Sequence, residues 1–178
     1  MPPDFEKMNN TSVVLPPFLL VDKLLHEWLL EDIGRGDRTT ESLLAQTPTV
    51  GQAKWVAKAP GVIAGLPIAA RVFQLLDAHV SFDAVIDEGS PCQPGQVIAQ
   101  MHGSLEALLT GERVALNIVM RLSGIASLTY KYVEQIADLS TKLVDTRKTS
   151  PGLRILEKYA TRLGGAMNHR MGLDDGVM

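Results

Sequence analysis

A strand, a loop and a helix follow one another near the carboxyl end, and this unit constrains the fold more than any other feature of the sequence. Lys142–Asp145 is the strand candidate. Ser150 suits the N-cap of the helix, Pro151 its first position and Gly164-Gly165 its end, with apolar residues at helical spacing between them. A parallel strand must be buried on both faces, which one unit alone cannot achieve. We therefore expect an incomplete α/β layer, with residues 171–178 as the run-in to another strand and the remainder supplied by another chain or a longer protein.

The residues before this unit predict a mixture of helices and short strands. Apolar runs divided by glycine and proline indicate a small sheet, and these runs are Ala53–Ala59, Gly61–Gly65, Val80–Ile86 and Gln96–His102. Apolar residues at helical spacing predict helices at about Leu19–Gly34, Leu66–Asp77 and Glu106–Ile136. Gly124, inside the last helix, indicates close packing or a break. The predicted fold class is α/β (α+β): an arm at 1–20, an amino-terminal α/β sandwich domain at 21–115, and the first part of a (β/α) barrel-like domain at 116–178.

Composition excludes several classes of function. The 178 residues are 46% apolar and 21% charged, which suits an ordinary globular core. A formal charge of −3 and an aromatic content of 5% argue against nucleic-acid binding. The apolar stretch Val13–Val21 is broken by Pro16-Pro17, so we expect no membrane span and no targeting signal. The single cysteine, Cys92, excludes a disulfide framework and a thiolate metal cluster and fits a cytoplasmic protein.

Positive charge is concentrated in residues 145–170. Six cations and two acids give this segment a charge of +4, whereas the rest of the chain carries −7. The six cations are Arg147, Lys148, Arg154, Lys158, Arg162 and Arg170. Arg147 and Lys148 precede the predicted helix, where free N–H groups and the helix dipole favour anions. These residues predict a site for a small polyanionic metabolite; in the alternative interpretation Thr149 and Ser150 only cap the helix and both cations are solvated.

Two further sets of residues are candidates for anion binding. His169-Arg170 follows the double glycine, and an imidazole beside a guanidinium presents donors to a second acid group, although a lone histidine is more often structural. Arg113, Asn117 and Arg121 lie at i, i+4 and i+8 of the long helix, so the two guanidinium groups emerge on one side about 12 Å apart along the axis. An ordinary solvated helix face is the alternative for this second set.

Six short motifs occur in order along the chain. The two strongest are DTRKTSPGLR at 145–154 and GGAMNHRMGL at 164–173. Supporting motifs are EDIGRGD at 31–37, GVIAG at 61–65, GERVALN at 111–117 and LSGIA at 122–126. Together they resemble the quinolinate phosphoribosyltransferase family, also called nicotinate-nucleotide pyrophosphorylase (carboxylating), from about Glu31 to the last residue. Several ordered motifs are far more specific than any one of them.

The resemblance implies a reaction: phosphoribose passes from phosphoribosyl pyrophosphate to quinolinate, carbon dioxide and pyrophosphate are lost, and nicotinate mononucleotide is formed. It also implies that Arg147, His169 and Arg170 bind the two carboxylates of quinolinate and that Lys148 faces phosphoribosyl pyrophosphate. Arg113 would reach into the site of a neighbouring subunit, so the implied assembly is a homodimer or higher homo-oligomer. Mg²⁺ would accompany the phosphorylated substrate, with no tightly bound organic cofactor and no metal ligand or catalytic residue assigned in this chain.

The chain departs from the family by stopping at Met178, because the family continues with a lysine-containing strand and later acids that serve the metal and the ribose. A barrel of this kind needs about 200 residues, whereas only about 60 follow Asn117. We therefore expect the isolated chain to be catalytically inactive. Two other interpretations stay open: a truncated non-catalytic subunit that associates with full-length partners, and a phosphoribosyltransferase for a different base, like the molybdenum-transport-associated relatives of the family.

Overall fold

Helices and short strands alternate along the chain, as the sequence predicts. The computed structural model describes residues 13–44 and 49–176. Within these ranges the elements are α1 (Phe18–Ile33), α2 (Arg38–Leu44), β1 (Val50–Val56), β2 (Gly61–Val62), α3 (Leu66–Leu76), β3 (Ser81–Ala84), β4 (Pro91–Cys92), β5 (Val97–Ser104), α4 (Leu105–Gln135) and α5 (Arg154–Leu163). The predicted α/β (α+β) class is confirmed, and the expected bounds of α1, α3 and α4 are correct to within a residue.

The strands form two small antiparallel sheets. One has the order β1-β5-β3, and the other pairs β2 with β4, a strand that the sequence did not predict. On the inner face of the larger sheet Trp55 and Phe82 meet Phe73 of α3, with ring centroids 5.5–6.1 Å apart. Polar residues such as Gln100 and His102 are exposed on the outer face. Helices therefore cover one face of this sheet, which is the sandwich expected for the amino-terminal part.

Buried apolar residues and one ion pair hold α1 against the core and against α3. Val21, Leu25 and Leu29 form the buried face of α1. The guanidinium of Arg71 on α3 donates two hydrogen bonds to Asp22 of α1, from Nε at 2.9 Å and from Nη2 at 2.7 Å. This bidentate arrangement is the favourable geometry for an arginine and a carboxylate. α1 and α3 are thus fixed to each other as well as to the core.

The long helix α4 is unbroken at Gly124, contrary to the expectation of close packing or a break. Gly124 is exposed, and no described atom lies within 4 Å of the position that a Cβ would occupy there. The small residues beside it have a different role. The hydroxyl of Ser127 accepts from Val62 N at 2.8 Å, and that of Ser123 accepts from Ala64 N at 3.0 Å. Serines one turn apart on α4 therefore satisfy the backbone N–H groups of β2 and the residues after it.

The predicted strand at Lys142–Asp145 is reduced to a single parallel bridge between Val144 and Met167. These two side chains are 48% and 40% exposed, so the parallel pair is not buried on both faces as a longer strand would need. Residues 171–176, expected as the run-in to another strand, contain no strand themselves, and 177–178 lie outside the described residues. The second parallel segment is instead centred on Met167, immediately after the glycines.

The helix of this unit also begins later than predicted. Residues 151–153 form a turn, and α5 starts at Arg154. Leu153 N donates to Ser150 O at 3.1 Å, so Ser150 opens the turn and does not cap the helix. The predicted end is confirmed at Gly164. A Cβ on Gly164 would lie 2.5 Å from the backbone oxygen of Ala126, so glycine permits close approach to α4.

The arm expected at residues 1–20 is described only in part. Residues 1–12 of the expected arm lie outside the described residues, whereas Val13 and Leu15 pack against the core. The domain boundaries at 20 and 115 stay predictions.

Among the helices of the described ranges, none has a stretch long and apolar enough to span a bilayer.

Candidate anion-binding site

Two loops leave the fold side by side after the parallel bridge. Met167 N donates to Leu143 O at 2.9 Å, and Asp145 N donates to Met167 O at 3.0 Å. Since parallel segments end at the same edge, the residues after Val144 and those after Met167 emerge together. We call residues 145–149 the first loop, which carries Arg147 and Lys148, and residues 168–171 the second loop, which carries His169 and Arg170.

The carboxylate of Asp145 ties the second loop to the first. Its Oδ1 accepts from Lys158 Nζ at 2.5 Å and from His169 N at 2.7 Å, and its Oδ2 accepts from Asn168 Nδ2 at 2.6 Å. The side chains of Asp145 and Lys158 are only 8% and 2% exposed. A buried charge needs such a partner, so this pair is an internal structural contact.

Arg154, at the start of α5, contacts both loops. Its Nε donates to Thr149 Oγ1 at 3.1 Å, its Nη2 to Arg147 O at 3.4 Å and its Nη1 to Met171 O at 3.0 Å. The planar guanidinium presents donors in several directions from one rigid group, which suits it to bridging separate segments.

Arg121 of α4 holds the residue that follows the first loop. Its Nη2 donates to Ser150 Oγ at 2.6 Å and also to the Glu157 carboxylate, which in turn accepts from Ser150 N at 3.2 Å. Although burial raises the pKa of Glu157, the hydrogen bonds from Arg121 and Ser150 outweigh it and hold that pKa below its ordinary value. Arg121 is therefore more than part of a solvated face, whereas Arg113 and Asn117 on the same side of α4 are exposed.

The cations of 145–170 divide into two groups, which charge counting did not distinguish. Arg154, Lys158 and Arg162 donate to acceptors of the protein itself; Arg162 Nη1, for example, donates to Ala166 O at 3.3 Å. Arg170 also donates to the protein, from Nη1 to Gly176 O at 3.0 Å, whereas Lys148 and the neighbouring His169 are exposed. The +4 charge therefore overstates the number of cations that face a ligand.

Arg147 has an unsatisfied donor. Its Nε is buried, and among the residues that the structure describes no acceptor lies within hydrogen-bonding distance of it. A buried N–H without an acceptor costs free energy, and a bound anion would remove that cost. An anion at this position would lie at the edge from which His169 and Arg170 also emerge.

Within 13–44 and 49–176 no three histidine, cysteine, aspartate or glutamate side chains are placed so that they could hold a metal ion. The residues described thus do not themselves form a cage for Mg²⁺.

Sequence reasoning missed the internal roles of Arg154, Lys158 and Arg162. One signal was present: they recur at i, i+4 and i+8, and Lys158 lies between residues of the buried side of α5. A lysine at a buried helical position requires a charged partner. Which acid would serve could not be read from the spacing, because Asp145 is 13 residues away.

The fold and the paired loops define the chain as an α/β protein with a candidate anion-binding edge. Family models match in two consecutive parts: the quinolinate phosphoribosyl transferase N-terminal domain at residues 37–123 and the C-terminal domain at residues 125–178. The chain belongs to the quinolinate phosphoribosyltransferase family.

Individual proteins agree with the family models. The chain is 62% identical over 164 residues to a probable nicotinate-nucleotide pyrophosphorylase (carboxylating) of Synechocystis, covering 92% of this chain and 55% of that protein. It is 48% identical to the corresponding Bacillus subtilis protein, covering 90% and 55%. The crystal structure of NadC from Streptococcus pyogenes superimposes with a TM-score of 0.88 at 40% identity, covering 92% of this chain and 58% of that one. The chain thus spans about half the length of the relatives it matches.

Proposed function

We propose that this chain contributes to an enzyme of NAD biosynthesis that transfers phosphoribose from phosphoribosyl pyrophosphate to quinolinate. The products would be nicotinate mononucleotide, pyrophosphate and carbon dioxide. Family membership supports the reaction class. The observation that carries the proposal is the buried, unpartnered Nε of Arg147 at the edge where the second loop emerges.

Each candidate residue has a part in this proposal. Arg147, His169 and Arg170 bind the two carboxylates of quinolinate, and Lys148 faces phosphoribosyl pyrophosphate. A pyridine dianion approaching a more negative co-substrate is repelled, and clustered cations relieve that repulsion. The binding residues thereby place the ring nitrogen against the anomeric carbon of the ribose, so their contribution is positioning and charge neutralisation.

The chemistry that follows is supplied mainly by the substrates. The bond between the anomeric carbon and pyrophosphate breaks through an oxocarbenium-like transition state, and the ring nitrogen bonds to that carbon from the opposite face. The bond between the ring and the adjacent carboxylate then breaks and carbon dioxide leaves, while the positively charged ring nitrogen stabilises the electron pair that stays on the ring carbon; this pair then bonds a proton. Mg²⁺ belongs to the proposal as a companion of the phosphorylated substrate, since Mg²⁺ is commonly bound through substrate phosphates.

A homodimer or higher homo-oligomer and a cytoplasmic location are further parts of the proposal. Arg113 is exposed on α4, and a side chain that enters the site of a second subunit must be exposed in the single subunit. The single cysteine, Cys92, is buried and unpaired, which fits a reducing compartment.

Quinolinate binding tests the proposal directly. Isothermal titration calorimetry should show that Arg147→Ala weakens quinolinate binding by at least about 1 kcal/mol, or roughly five-fold, because a charge-assisted hydrogen bond is lost. Nicotinate, which has one carboxylate, should bind the unsubstituted chain more weakly than quinolinate. Arg38→Ala, which removes an exposed arginine of α2, is the control and should leave the affinity unchanged. No quinolinate binding, or an unchanged dissociation constant in Arg147→Ala, would contradict the assignment.

A further inference from the structure

Arg154 and Lys158 lie one turn apart on the same side of α5, and each of them contacts both loops of the candidate site. Arg154 reaches the first loop through Arg147 O and Thr149 Oγ1 and the second loop through Met171 O. Lys158 binds the carboxylate of Asp145 in the first loop, and the same carboxylate accepts from the backbone of His169 in the second.

The second loop has an additional connection to Lys158. Asn168 Nδ2 donates both to Asp145 Oδ2 at 2.6 Å and to the backbone oxygen of Lys158 at 2.9 Å. Asp145, Asn168 and Lys158 therefore form one closed network of hydrogen bonds. A network whose members are all satisfied orders the segments that it joins.

The helix determines the separation of the two contacts. Residues four apart on a regular helix are separated by about 6 Å along its axis, and a helical backbone resists stretching. The two loops are consequently attached at two points of a rigid element, and movement of one loop strains the contacts of the other. The side chains of Arg154 and Lys158 donate to four acceptors of the protein, so we expect them to hold the loops and not to bind substrate.

We propose that Arg154 and Lys158 are positioning residues that fix the distance between the first and second loops, and with it the distance between Arg147 and the pair His169 and Arg170. The identity of the ligand rests on the proposed function, whereas the coupling of the loops does not. The spacing of the loops would then select a diacid, because quinolinate must be held by both loops at once and a monoacid by only one.

Hydrogen–deuterium exchange tests the coupling without any ligand. Arg154→Lys keeps the charge but loses the planar fork that reaches both loops. Amides of 145–149 and 168–171 should both exchange at least about ten-fold faster in this variant, while α4 and the sheet keep their protection. Arg162→Lys is the matched control, because Arg162 lies on the same side of α5 and its guanidinium donates to Ala166 O, which belongs to neither loop. Unchanged exchange, or faster exchange in the first loop alone, would overturn the proposal.

Ligand selectivity gives the second readout. The ratio of quinolinate to nicotinate affinity should fall by about ten-fold in Arg154→Lys, since a small misplacement penalises two-point binding most. An equal loss of both affinities would indicate general destabilisation and count against positioning.

Lys158→Met combined with Asp145→Asn provides a second variant without a buried unpaired charge, and it should lower the same ratio of quinolinate to nicotinate affinity. If the unsubstituted chain binds neither acid, the proposed function fails and the exchange experiment alone decides the coupling.

Discussion

Glu88 shows how one side chain stabilises residues from distant parts of the chain. Its carboxylate accepts from Gly65 N at 2.9 Å, from Leu66 N at 2.7 Å and from the hydroxyl of Tyr159 at 2.7 Å. The first two bonds satisfy N–H groups at the start of α3, which the glycine at its N-cap has no side chain to satisfy. The third joins this part of the fold to α5. Burial and the neighbouring carboxylate raise the pKa of Tyr159, so its hydroxyl stays a donor.

Stability should depend on the ionisation of Glu88. Burial raises the pKa of this carboxyl in the folded state, against the opposing effect of its hydrogen bonds. The folded protein then binds the proton more tightly than the unfolded chain, whose glutamate pKa is about 4.3. The resulting stabilisation is complete below that pH and is lost as pH rises through the folded-state pKa.

Chemical denaturation between pH 4 and 8 measures this effect as a difference between two proteins. The free energy of unfolding of the unsubstituted chain should increase relative to that of Glu88→Gln as the pH falls, because glutamine does not titrate. Tyr159→Phe removes a hydrogen bond that favours the ionised carboxylate of Glu88. The free energy of unfolding of this variant should therefore depend more steeply on pH than that of the unsubstituted chain. A difference that does not vary with pH would contradict the assignment.

At the scale of elements, α4 organises the molecule because it contacts both sheets as well as α1, α2, α3 and α5. Two glycines near its carboxyl half have opposite requirements. Gly124 lies in the helix itself with open space around it, whereas Gly164, at the end of α5, is pressed against the backbone of Ala126. The presence of a glycine therefore does not by itself indicate close packing.

Alanine at these two positions should change stability in opposite directions. Gly124→Ala should raise the free energy of unfolding by about 0.5–1 kcal/mol, since alanine is the better helix former and no described atom obstructs its Cβ. Gly164→Ala should lower it by about 1–3 kcal/mol, because the backbone of α4 must shift. Urea titrations of both variants measure the two values. A lower free energy of unfolding in Gly124→Ala would contradict the prediction and show that the surface of α4 at Gly124 is covered.

At the scale of the whole molecule, the proposed assembly places Arg113 of one subunit in the site of another. Arg113→Ala and Arg147→Ala should each weaken quinolinate binding when prepared alone. In a re-equilibrated equal mixture, half of the dimers contain one chain of each kind, and each of these has one site with both arginines. Titration should recover about a quarter of the normal binding capacity, as expected for random pairing in a two-fold symmetric dimer. No recovery would place Arg113 in its own subunit's site, and normal binding by Arg113→Ala alone would place it outside any site.

Local sequence patterns were sufficient for much of the fold and for the candidate residues. The bounds of α1, α3 and α4 followed from apolar spacing and from glycine and proline, because those signals act within one or two turns. Arg147, Lys148, His169 and Arg170 were identified by charge, by position and by the family motifs. The edge from which they emerge was expected from the strand–loop–helix pattern of residues 142–165.

Only the tertiary structure decided how the remaining charged residues are used. Sequence shows that Arg154, Lys158 and Arg162 are cations, and it does not show which acceptor each one meets. Those acceptors come from Asp145, Met171 and Ala166, which the parallel bridge brings to α5. The late start of α5 has a similar origin, since Ser150 is held by Arg121 and Glu157 and is not available as a cap. A side chain's chemistry is local, but its partner is selected by contacts between residues far apart in the chain.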